Sequence, residues 1–119
     1  MQSRTQEILA HLDTHRAELE RAVAAVPAQL RERRPAAERW SVAEILEHLA
    51  LVEARIAHLL GDRLAAARAA GLGAERETSP VVPTLDVARL LDRSRPLTAS
   101  EASQPRAGLD AGAAWAALS

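Results

Sequence analysis

The sequence predicts an all-α domain. Two long stretches repeat apolar residues at steps of three, four or seven, the period of a helix with one face turned inward. Hydrophobic residues make up 48% of the chain, yet Trp40 and Trp115 are its only aromatic ones, with no Phe or Tyr. Such a core is built from Leu, Ile, Val and Ala. These suit helix-on-helix packing, whereas sheets favour β-branched and aromatic side chains. The third observation is a helix-start signal, Ser41 followed three residues later by Glu44.

The first helix is expected from about Ser3 to Val26. Ile8, Leu12, Leu19, Val23 and Val26 fall in one stripe, with His15 inside it and His11 at its border, while Glu18, Glu20 and Arg21 point away. Pro27 interrupts the pattern and suits the first position of a new short turn, where its missing N–H costs nothing. That turn is expected over Ala28 to Arg33, with Leu30 packing back. Pro35 ends it and pushes Arg34 toward extended geometry, and residues 35–39 read as a connector.

The second helix starts at Ser41 and runs to about Leu64, with good helix formers continuing to Ala70. Ser41 and Glu44 make a capping box, and Trp40 and Ile45 are spaced for a hydrophobic staple. Val42, Ile45, Leu46, Leu49, Val52, Ile56, Leu59, Leu60 and Leu64 form a broad apolar face. The face is wide enough to predict burial on more than one side. Gly61 weakens the last turns by about 1 kcal/mol relative to Ala, and Gly71 and Gly73 supply the stop.

Residues 71–84 read as a loop, residues 85–92 as a short helical piece, and residues 93–108, with Pro96 and Pro105, as an irregular excursion. Asp110 is placed to cap a third helix carrying Trp115. The chain reaches Ser119 about two turns into that helix, so the domain, residues 1–119, is expected to be incomplete at its C-terminus. Two long helices and a fragment leave part of the second helix's face uncovered, which predicts a homodimer that completes a bundle between chains.

The formal net charge is −1, from 15 basic and 16 acidic residues. The charges are interspersed, and no basic stripe of the kind that marks nucleic-acid binding is present. The absence of cysteine excludes disulfides, thiolate metal sites and thiol nucleophiles, and fits a cytoplasmic protein. No apolar segment has the form of a signal peptide or a membrane span.

The string Arg39-Trp40-Ser41-Val42-Ala43-Glu44-Ile45-Leu46-Glu47-His48-Leu49 resembles the signature of the DinB-like superfamily, which includes the YfiT-type metal-dependent hydrolases. The length of the first helix, the Pro27 turn before Trp40, and the Asp92-Arg93-Ser94 segment leading to Pro105 are similar as well. The resemblance implies a four-helix bundle with a long crossover, of which this chain carries helices 1 and 2, the crossover and the start of helix 3. It further implies a divalent metal, nickel or zinc, held by three histidines, and a hydrolase or thiol transferase acting on a small molecule. His48 occupies the position of the ligand from the second helix. The other two ligands belong to an HxxxH pair on a fourth helix, and no histidine follows His58 here. The expectation is therefore an incomplete metal site in this chain. The alternative is a non-catalytic helical interaction or dimerisation module built on the same scaffold.

Each candidate residue also has an ordinary structural reading. His48 sits nearly a quarter turn from the centre of the apolar stripe, as a half-buried border residue would. His11 and His15 form an i, i+4 pair able to chelate an ion, but read first as one partly buried and one exposed histidine. Capping accounts for Glu44. Glu47 and Glu53 are expected on solvated faces and His58 at the surface. Trp115 is open between core and contact roles.

Overall fold

The computed structural model describes residues 2–92, 94 and 98–118. Arg93, Pro96 and Ser119, assigned above to the crossover and the chain end, lie outside the described residues. Among the described residues the chain is all-α, with no strand: α1 spans Ser3–Ala25, α2 Val42–Ala69, α3 Val87–Leu91 and α4 Ala111–Leu118. Single 3-10 turns occupy Ala28–Leu30, Val82–Thr84 and Glu101–Ser103. None of the described helices is long and apolar enough to cross a membrane. The chain divides into two compact units, one of Met1–Ala22 and Gly73–Thr98, the other of Val23–Leu72 and Ala99–Ser119.

In the first unit α1 meets segments containing only a 3-10 turn and the five-residue α3. These are too short to cover a long helix. Ile8 and Leu12, expected in a buried stripe, are accordingly exposed. The two histidines exchange places relative to expectation: His11 is half-buried and His15 is exposed. The unit is tied by the Glu7 carboxylate, which accepts hydrogen bonds from the Val81 and Val82 N–H groups at 2.5 and 3.4 Å. Arg4 adds an ion pair with Glu75 at 3.6 Å.

The second unit opens at Val23, in the last turn of α1 before Pro27. The Arg31 side chain turns back and donates to the Val26 carbonyl at 2.9 Å and the Ala24 carbonyl at 3.5 Å. A cation at a helix C-terminus satisfies carbonyls left without an intrahelical partner. The start of α2 follows the expected pattern. The Glu44 N–H donates to Ser41 Oγ at 3.1 Å, and the Ser41 N–H donates to Glu44 Oε1 at 3.0 Å. The end of α2 is also as expected. Gly71 adopts φ +75°, the Gly71 N–H donates to the Arg68 carbonyl and the Leu72 N–H to the Ala67 carbonyl, both at 3.0 Å. This is a Schellman closure, in which the left-handed residue is almost always glycine.

The core of this unit lies where the first turns of α2 pack on α4 and on the 3-10 turn Glu101–Ser103. Ala43 and Leu46 of α2 and Ala111, Ala114 and Leu118 of α4 are buried. The small residues let the two backbones approach, and Leu46 fills the space between them. The N-terminus of α4 is held by two carboxylates. Asp110 accepts from the Ala113 N–H at 2.7 Å, as the sequence suggests, and Glu32 accepts from the Ala111 N–H at 2.8 Å.

Two expectations for α2 need correction. Burial is confined to its first turns, where α2 meets α4 and the 3-10 turn Glu101–Ser103; the described part of α4 flanks about 12 Å of a helix about 42 Å long. Ile56, Leu59, Leu60 and Leu64 are exposed. Glu47, expected on a solvated face, is 5% exposed and accepts a hydrogen bond from the Ala107 N–H at 3.1 Å.

Candidate functional site around His48

His48 stands one turn beyond the capping box, on the part of α2 that meets the crossover. It is half-buried, and its Nδ1 lies 2.7 Å from the Ser103 carbonyl oxygen. A carbonyl only accepts, so Nδ1 carries the proton and, in the neutral ring, Nε2 holds the free lone pair. The indole of Trp40 packs against the other side of the imidazole, with ring centroids 5.0 Å apart and planes tilted by 48°. The ring is thus fixed in position and tautomer.

The carbonyl that fixes it belongs to an ordered turn. Ser103 is buried, its Oγ donates to the Ser100 carbonyl at 3.1 Å, and the two serine hydroxyls are 2.9 Å apart. Arg55, two turns further along α2, donates to Ser100 Oγ at 3.1 Å. The crossover segment from Ser100 to Ala107 is therefore pinned to α2 at three places, by Arg55, His48 and Glu47.

On the adjoining flank Arg34 grips Glu44. Nε donates to Oε1 at 2.8 Å, Nη2 to Oε2 at 2.6 Å, and Nη1 to the Ala37 carbonyl at 3.2 Å. This two-pronged contact and the Ser41 N–H hold the Glu44 carboxyl down at about 2, against an ordinary 4.5. The same contact raises the Arg34 guanidinium. The sequence explains Glu44 as a cap. Its pairing with Arg34, ten residues earlier across the connector that Pro35 opens, is decided by the path of that connector.

The other candidates have partners of their own. His11 and His15 are stacked edge-to-face at 4.4 Å within the first unit, and His15 Nδ1 donates to Glu18 at 2.9 Å. His58 is at the surface, 3.5 Å from Asp62. Trp115 is half-buried. Among the described residues no three His, Cys, Asp or Glu side chains converge on one point. His48, with its Nε2 lone pair free, belongs to no such group among the described residues.

A model of the DinB superfamily matches residues 11–114 of the chain. The chain belongs to the DinB superfamily. Among the described residues it is helical with no strand, consistent with a DinB-like helical bundle. No curated protein sequence and no solved structure matches significantly. The DinB match takes in the Trp40-Ser41…Glu44…His48 string, the Pro27 turn, the crossover and the first half of α4. Ser103 and Glu47 escaped the sequence reading, since nothing in their local pattern marks them as partners of residues 55 and 60 positions away in the chain.

Proposed function

We propose that this DinB-superfamily chain contributes His48, through Nε2, to a divalent-metal centre of nickel or zinc in a hydrolase or thiol transferase acting on a small molecule. The observation that carries this reading is the Nδ1 hydrogen bond to the Ser103 carbonyl. Ligating imidazoles characteristically donate their second ring N–H to a carbonyl or carboxylate, which leaves the other nitrogen aimed and basic. The further donors must come from outside the described residues of one chain. We derive no catalytic step from the single donor. The absence of cysteine fits a cytoplasmic setting for such a nitrogen-based centre.

The test is metal analysis of the purified chain and of His48→Ala after equilibration with nickel or zinc. The reading expects metal that scales with protein in the first and is lost in the second. Equal, substoichiometric metal in both removes His48 from any centre.

A second reading is favoured by a different observation. Ile56, Leu59, Leu60 and Leu64 lie exposed along the second half of α2, and a contiguous apolar strip of this kind is rare on stable monomers. It supports a non-catalytic helical interaction module that forms a homodimer. Light scattering on the eluting peak of a sizing column checks it. A folded monomer at micromolar concentration rules it out.

A further inference from the structure

The second unit has a concavity that neither reading uses. A cleft of about 560 Å3 opens between the Pro27 turn, the connector and the first turns of α2. Its walls include Leu30, Trp40, Val42 and Ile45. Leu30 and Ile45 are 42% and 43% exposed, so apolar surface faces water instead of closing a core. The volume falls in the range of small-molecule sites, about 300–1,000 Å3. Among the described residues its charged lining is Arg33 and Arg34, with no acidic side chain in the wall itself.

The two arginines are in different states. Arg34 is neutralised by Glu44, which takes both prongs of its guanidinium. Among the described residues Arg33 has no side-chain partner of that kind. An apolar cleft with a flat indole on one wall and one uncompensated guanidinium matches a particular ligand chemistry. The guanidinium fork takes a carboxylate through two parallel hydrogen bonds, while the apolar walls take a hydrocarbon or aromatic body.

We propose that this cleft binds a small apolar carboxylate, with the carboxylate on Arg33 and the apolar body between Trp40, Leu30 and Ile45. His48 does not line the cleft, although its imidazole packs on the outer side of the Trp40 wall.

The experiment is calorimetric titration of the full chain with 1-naphthoate at neutral pH, beside the neutral isostere 1-naphthamide. Saturable one-to-one binding of naphthoate is expected, about tenfold tighter than naphthamide. Arg33→Gln should weaken naphthoate about tenfold and leave naphthamide unchanged. Ile45→Ser should weaken both. Arg33 and Ile45 are exposed, so these variants should keep the wild-type circular dichroism. Overturning results are no saturable naphthoate binding at millimolar concentration, equal affinity for the two probes, or an Arg33→Gln variant that binds naphthoate as tightly as wild type.

Discussion

The Nδ1 of His48 donates to the carbonyl oxygen of Ser103 at 2.7 Å, joining the second helix to a turn 55 residues further along the chain. The bond sets the tautomer of the histidine proposed above as a metal donor. It also anchors the crossover. Removing the imidazole leaves a buried carbonyl without its donor, at a cost of about 1–3 kcal/mol. His48→Ala is therefore expected to lower the urea midpoint. His48→Asn, which keeps a donor, should recover part of the loss.

Glu44 makes stability depend on acid. Its carboxyl sits at about 2 in the folded chain against an ordinary 4.5, so the folded state favours the ionised form. The stabilisation is complete above about pH 4.5 and is lost as pH falls toward 2. Thermal melts of wild type and Glu44→Gln between pH 6 and pH 2 are expected to show a gap in melting temperature that narrows over the lower part of that interval. A gap that stays constant with pH would assign the effect to the cap geometry alone.

Leu46 is 1% exposed and sits where α2 meets α4. Leu46→Ala removes its packing and opens a cavity, an expected loss of about 2–5 kcal/mol. Ile56→Ala, at an exposed site on the same helix, should cost far less in a monomer. Denaturant titration compares the two. If Ile56→Ala proves as damaging as Leu46→Ala, and the effect depends on protein concentration, the exposed strip is covered by a second copy.

The two glycines near the end of α2 should respond oppositely. Gly61 lies inside the helix with open space around its Cα, so Gly61→Ala is expected to stabilise by about 0.5–1 kcal/mol. Gly71 holds φ +75° in the helix closure, a conformation that costs an L-residue about 1 kcal/mol or more. Gly71→Ala should destabilise correspondingly. Thermal melts of both variants check the sign.

Local features were legible in the sequence because local rules govern them. Ser41 and Glu44 are three residues apart, and that spacing alone closes a capping box. Gly71 follows a run of helix formers and ends it. Asp110 precedes a small-residue run and caps it. Burial was less legible. The apolar face of α2 repeats evenly to Leu64, but what covers it depends on the length of α4, which no pattern within α2 encodes. Glu47 reads as a surface carboxylate from its type. It is buried because the crossover brings the Ala107 N–H to it.

The sequence by itself thus determined the helices, their caps and stops, the DinB resemblance and the position of His48, all consequences of contacts within a few residues. Only the tertiary structure decided which nitrogen of His48 is left free, that Glu44 is gripped by Arg34, and that Arg33 faces an apolar cleft with no side-chain partner among the described residues. Those relationships join residues brought together by the connector and the crossover. A turn's path through space is set by packing across the whole unit, not by the periodicity of any one helix.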